Sequence, residues 1–272
     1  MIHEKLEIKY KEETATLFTY ILDNSTKIDS DRKRPMVVIC PGGGYEYTSD
    51  RGAEPIAIQL LSMGFHACVL RYSCKPAVFP TALCQLATAV KTIREHAFDW
   101  NVDSSKIILL GFSAGGHLAA SLGVFWNKQF LFELLDFDNE QMRPNGLILS
   151  YPVISSGTFA HKGSFDALLG GKQGNQQLIE LLSLDKQVSS DVPPTFIWHT
   201  TTDTAVPVEN SMLFAQSLLQ NKISLEIHIY PNGVHGLSLG TEETKAKDNE
   251  SMLQTEVSNW IEMAGRWIEG IT

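Results

Sequence analysis

Short apolar runs recur along the chain, and each ends at a turn signal. Residues 36–40 stop at Pro41-Gly42-Gly43-Gly44, and residues 66–70 follow the breaker Met63-Gly64. Further runs cover 107–110, 147–150, 195–199 and 225–230. Most are continuous rather than alternating, which predicts strands buried on both faces of a parallel sheet. Segments with apolar residues at helical spacing lie between them, over 53–61, 81–96, 114–125, 208–219 and 253–268. This alternation predicts an α/β fold with right-handed crossovers. Residues 6–10 and 15–22 alternate apolar with polar and stand close together, which predicts an antiparallel hairpin at one sheet edge.

Residues 155–194 break the rhythm. They hold Gly157, Gly163, Gly170, Gly171 and Gly174, with one short helical pattern around 178–184. A long irregular insertion in a compact domain is more often functional than idle. It is expected to form a small lid over the site, within a single domain spanning 1–272. There is no internal repeat and no low-complexity tract.

Composition narrows the function classes. The chain has 272 residues, 43% hydrophobic and 19% charged, an ordinary globular profile. Its formal net charge of −9, with no basic stripe, argues against nucleic acid as a partner. No apolar stretch is long enough to span a bilayer, so no membrane partner is expected. The first residues, Met1-Ile2-His3-Glu4-Lys5, lack an apolar core segment, so no secretory signal is expected and the expected location is cytoplasmic. Cys40, Cys68, Cys74 and Cys84 lack C-x-x-C spacing and lie mainly in or beside apolar segments. Buried reduced thiols are expected, with a disulfide or a reactive thiol as the alternatives.

The first candidate for chemistry is Ser113, in Gly111-Phe112-Ser113-Ala114-Gly115. A G-x-S-x-G match by itself arises by chance in roughly one chain in ten of this length. Here it directly follows the apolar run 106–110 and opens the helical segment 114–125, the strand–turn–helix setting of a nucleophile elbow. The serine of such an elbow sits on a tight, strained turn that needs small neighbours. Gly111, Ala114, Gly115 and Gly116 provide that room, and the helix N-terminus favours a developing negative charge. A glycine-rich strand-to-helix turn without chemistry is the other reading.

A serine hydroxyl needs a base to take its proton and a carboxylate to orient that base. Asp203 lies just past the strand 195–199, and His235 just past the strand 225–230. Both therefore fall at C-terminal strand ends, where open α/β sheets build their sites. An Asx-turn role is the alternative for Asp203. The other histidines are worse placed. His117, one turn into the helix after Ser113, reads as a core histidine. His199 precedes the acid, His228 lies within a strand, and His161 falls in the presumed lid as a solvated loop residue or a substrate contact. His3, His66 and His96 have no partner in sequence.

The glycines of Pro41-Gly42-Gly43-Gly44-Tyr45 allow close backbone approach to a substrate. Gly43 or Gly44, together with Ala114, are the expected oxyanion-hole N–H donors. A flexible turn is the alternative there. A phosphate loop would need a G-K-[ST] ending, which is absent. No H-x-x-x-H or H-E-x-x-H pair occurs, so neither a metal nor any other cofactor is expected.

With these segments in hand, the chain resembles the acetyl esterase/lipase branch of the α/β-hydrolase superfamily, and most of all bacterial carboxylesterases of the sugar or xylan acetyl esterase type. The resemblance rests on Cys40-Pro-Gly-Gly-Gly-Tyr45, Gly111-Phe-Ser-Ala-Gly-Gly-His117, Ser150-Tyr-Pro-Val153, Pro193-Pro-Thr-Phe196, Asp203 with Val206-Pro207 and Asn210-Ser211, and Gly233-Val-His-Gly236. It implies the α/β-hydrolase fold, a mostly parallel sheet with helices on both faces, and Ser113, Asp203 and His235 as a catalytic triad. Many members carry a histidine where this chain has Pro41, and the long N-terminal cap of some lipases is missing. Both departures favour small polar esters. The expected function is hydrolysis of short-acyl, acetyl-type esters, of sugars or other small alcohols, through an acyl-enzyme. The expected partner is a small-molecule ester, and a homo-oligomer is left open. A peptidase or thioesterase on the same triad, or a non-catalytic binding protein of the same fold, are the alternatives.

Overall fold

In the computed structural model, which describes residues 1–271, the apolar runs assemble into one eight-stranded sheet. Its strands are β1 (Lys5–Tyr10), β2 (Glu13–Tyr20), β3 (Arg34–Cys40), β4 (His66–Arg71), β5 (Val102–Phe112), β6 (Gly146–Ser150), β7 (Thr195–Thr200) and β8 (Leu225–Tyr230). They lie in the order β1-β2-β4-β3-β5-β6-β7-β8. β1 and β2 form the expected antiparallel hairpin at one edge, and β2 pairs antiparallel with β4. All pairings from β4 to β8 are parallel.

The helices are α1 (Glu54–Ser62), α2 (Thr81–Glu95), α3 (Ala114–Phe125), α4 (Gln129–Leu135), α5 (Asn139–Met142), α6 (Lys162–Leu169), α7 (Gln176–Leu181), α8 (Glu209–Gln220) and α9 (Trp260–Gly270). They cover both faces of the sheet. Met36, Val38 and Cys40 of β3 pack in one core with α2, α3 and α8 residues such as Val90, Leu118 and Phe214. Val37 and Ile39 point the other way, into a second core with Ile56 and Leu60 of α1 and Trp260 of α9. Strand alternation with apolar cover on both sides is why the central strands read as unbroken apolar runs. Among the described residues no helix is long and apolar enough to cross a membrane.

Two expectations are corrected. The helix expected over 253–268 begins only at Trp260. Gln254 N–H donates to Gly240 O at 2.9 Å, so this backbone serves a neighbouring loop and not a helical ladder. The insertion 155–194 is more regular than its glycines suggest. It holds α6 as well as α7, because Gly163 and Gly170 fall at the ends of α6 rather than in its middle. His161 caps the start through its ring nitrogen, and Gly170 ends the helix in the left-handed region (φ 55°). Phe165, Leu168 and Leu169 then bury against the core at helical spacing. The short helices α4 and α5 had no clear pattern in the sequence.

The chain leaves β3 to form β4 on one side, then crosses over to form β5 on the other. The ends of β3 and β5 are neighbours, with Cys40 opposite Gly111. This reversal of winding direction opens a crevice at the C-terminal strand ends. The glycine loop after β3 and the turn after β5 meet there.

Candidate active site

Ser113 links β5 directly to α3 with φ 54° and ψ −119°, a conformation costly for any residue with a side chain. Backbone bonds hold it: Ser113 N–H donates to Ser150 O at 3.0 Å, and Ser113 O accepts from Val153 N–H at 3.0 Å and His117 N–H at 3.1 Å. The glycines permit the turn by contact as well as by torsion. A Cβ on Gly111 would lie 2.2 Å from Gly115 O, and one on Gly115 would lie 2.1 Å from Cys40 O.

The structure brings Ser113, His235 and Asp203 together across 122 and 32 residues of sequence. His235 Nδ1 stands 2.6 Å from Asp203 Oδ2, and Ser113 Oγ stands 2.8 Å from His235 Nε2. A carboxylate can only accept, so Nδ1 carries the proton and Nε2 is free to accept from the serine hydroxyl. Asp203 Oδ1 accepts from the N–H groups of Ala205 (3.0 Å) and Val206 (2.9 Å). Burial pushes the Asp203 carboxyl up. Hydrogen bonds from His199 and His235, the charge of His235 and the Val206 amide outweigh burial and hold it well below the ordinary carboxylate range.

Of the expected oxyanion donors, Gly43 and Gly44 line the same cavity as Ser113, and Ala114 is the residue after it. Gly43 (φ 131°) and Gly44 (φ 66°) take backbone conformations that favour glycine. Among the described residues the N–H groups of Gly43, Gly44 and Ala114 have no protein acceptor, which leaves them available to a ligand. Tyr45 fixes this loop from below. Its hydroxyl donates to His117 Nδ1 at 2.9 Å, and His117 Nε2–H donates to Leu182 O at 2.9 Å. His117 is the buried, satisfied histidine expected, and it ties the glycine loop to α3 and to the insertion.

Three further residues lie near the reacting groups: His161, for which the sequence left a substrate contact open, and His199 and Arg51, which it did not bring forward. His199, set aside for preceding the acid, lies wholly buried with Nε2 3.4 Å from Asp203 Oδ2. His161 of the insertion lines the cavity, with Nδ1 accepting from Ser164 Oγ at 2.8 Å. Burial, with the His235 charge behind it, lowers its pKa below the ordinary value. Arg51 lines the same cavity from the segment before α1. No local motif marks these three, because each arrives through the packing of separate elements. The cavity above Ser113 has a volume of about 260 Å³ and is bounded by the glycine loop, Tyr47, Tyr151, His161 and His235.

The BD-FAE family profile matches residues 22–218. The chain is 37% identical to endo-1,4-β-xylanase B of Butyrivibrio fibrisolvens over 84% of this chain and 35% of that protein. It is 28% identical to the acetylxylan esterase of Xylanibacter ruminicola over 94% of this chain and 52% of that one. It thus spans between a third and about half the length of the curated relatives it matches. Among solved structures, the acetyl ester-xyloside bifunctional hydrolase of Caldicellulosiruptor lactoaceticus superposes with a TM-score of 0.81 at 36% identity, covering 96% of this chain and 89% of that one. With the glycine loop, elbow, acid and histidine in this order on a mostly parallel sheet, the chain has the α/β-hydrolase fold and belongs to the BD-FAE family.

Proposed function

We propose that the chain is a serine carboxylesterase for short-acyl esters, with acetyl esters of sugars as the substrate class. The observation that carries this reading is the hydrogen-bonded line Ser113 Oγ, His235 ring, Asp203 carboxylate. Ser113 Oγ attacks the ester carbonyl while its proton passes to His235 Nε2. The carbonyl oxygen becomes an oxyanion held by the N–H groups of Ala114 and of Gly43 or Gly44. Collapse breaks the bond to the alcohol oxygen, which leaves with the proton from His235, and the acyl group stays on Ser113. Water then attacks the acyl-enzyme with His235 as base, and the acid departs with Ser113 restored. Asp203 stays ionised throughout and holds the imidazole in the required tautomer.

The small cavity supports a short acyl group. Acetyl on a sugar is supported by the likeness to proteins named acetylxylan esterase and acetyl ester-xyloside hydrolase. The four unpaired cysteines, three of them buried, support a cytoplasmic location. The test is Ser113→Ala, which abolishes turnover of p-nitrophenyl acetate while the circular dichroism spectrum stays that of the parent. Parent protein should also turn over the acetate faster than the octanoate. Undiminished activity of Ser113→Ala overturns the assignment.

A further inference from the structure

Arg51 is a cation in the cavity wall, and among the described residues no acid is paired to it. Its chain neighbour Asp50 does not serve, because Asp50 Oδ1 accepts from Arg71 Nη2 at 2.7 Å. Glu46, also on the wall, lies 3.7 Å from Lys75 Nζ. Asp203 is turned away beneath His235 and engaged by its own donors. Among the described residues the hydrogen-bond partner of Arg51 is the Met252 thioether, 2.9 Å from Nη1, a neutral and weak acceptor. In a chain of net charge −9, a guanidinium left without a carboxylate at the mouth of a reactive site is an asymmetry that points to a ligand.

Its position says which part of a substrate it meets. A Cβ on Gly236 would lie 3.1 Å from Arg51 Nη2, so the guanidinium lies against the residue that follows His235. In the reaction proposed above, His235 hands its proton to the leaving alcohol, so this flank of the cavity holds the alcohol rather than the acyl group. A guanidinium presents a planar fork of donors that matches a carboxylate. The acidic surface does not cancel this, since charges beyond about 8 Å are screened at physiological ionic strength.

We propose that Arg51 is the specificity-determining residue for the alcohol side, and that it selects esters whose alcohol carries a carboxylate, such as acetylated sugar acids. The inference rests on the esterase reading, and the experiment separates the two. The kcat/KM for 3-acetoxybenzoate is divided by that for phenyl acetate, in parent, Arg51→Gln and Arg51→Lys. The parent ratio should exceed one, and Arg51→Gln should lower it about tenfold or more, the scale of one lost charge-assisted hydrogen bond. Arg51→Lys should keep part of it. In the parent alone, 3-hydroxybenzoate should inhibit more strongly than 3-hydroxybenzamide, a readout that needs no variant. Monophenyl succinate, with its carboxylate on the acyl side, should show no such dependence on Arg51. A ratio unchanged by Arg51→Gln, or both esters slowed alike, overturns the assignment and leaves Arg51 as a strut to Met252. A preference for the succinate places the anion on the acyl side and overturns it too. Failure of the parent to hydrolyse phenyl acetate overturns the esterase reading along with it.

Discussion

His199 Nε2 lies 3.4 Å from Asp203 Oδ2, on the same oxygen that accepts from His235. The same nitrogen is 3.0 Å from Val206 O, and Nδ1 is 2.8 Å from Ser211 Oγ. Two acceptors at Nε2 mean that it carries the proton, with the Ser211 hydroxyl donating to Nδ1. The Nε2 proton is directed to Val206 O, and Asp203 Oδ2 lies beside the same N–H as a longer electrostatic contact, with the imidazole held by the first turn of α8.

Removing that contact should weaken catalysis while Ser113, His235 and Asp203 stay in place. His199→Gln is expected to lower kcat for p-nitrophenyl acetate about tenfold, with KM little changed, because Asp203 keeps its two amide donors and His235. Asp203→Asn should be far more severe, on the order of a thousandfold or more in kcat, since the imidazole loses the partner that sets its tautomer. Steady-state kinetics of the two variants together check the ranking. Equal losses would contradict a supporting role for His199.

Tyr45→Phe leaves His117 Nδ1 without its donor in a buried site, an expected cost of about 1–3 kcal/mol. It also loosens the loop bearing Gly43 and Gly44, so kcat should fall. Urea unfolding and p-nitrophenyl acetate kinetics on the same preparation test both effects. Full stability would show that the buried network does not hold the loop.

Gly115→Ala drives a Cβ to 2.1 Å from Cys40 O and 2.4 Å from Pro41 O, where rigid backbone meets rigid backbone. The expected outcome is destabilisation of about 3 kcal/mol or failure to fold, the upper range for overpacking. Gly174→Ala meets nothing within 4 Å and should be neutral within about 0.5 kcal/mol. Thermal unfolding of the pair gives the contrast, and similar melting temperatures would refute it.

Two buried imidazoles should make stability sensitive to mild acid. Burial lowers the pKa of His66 and of His117 to about 4, whereas the unfolded chain titrates near about 6.5. Only the unfolded chain takes up these protons between the two values. Stability is therefore complete above about pH 6.5 and declines as the pH falls toward about 4, by up to about 1.4 kcal/mol per pH unit for each histidine. Asp203 acts in a lower window, because its depressed carboxyl stabilises the fold above the unfolded value of about 3.9 and that contribution is lost only at stronger acidity. Urea unfolding between pH 7.5 and 4.5 measures the first effect, and a flat profile would exclude it.

Much of this fold is legible in the sequence alone. Apolar runs such as 36–40 and 107–110 specify two-sided burial, and the period change at Ser113 marks the passage from strand to helix. The helical segment 114–125 forms over those residues, and the hairpin lies at the expected edge. Local patterns failed where residues serve distant partners, as when Gln254 bonds Gly240 instead of a helix.

The candidate site divides along the same line. Sequence order and strand ends selected Ser113, Asp203 and His235, because a strand end is a local property and the sheet lines such ends up. Which further groups face them was decided only by tertiary packing. The partners of His199 at Asp203, of His117 at Tyr45, and the lack of an acid partner for Arg51 among the described residues depend on where loops from separate elements meet. Distances of a few ångströms between such loops set hydrogen bonds and charge pairing, and spacing along the chain does not encode them.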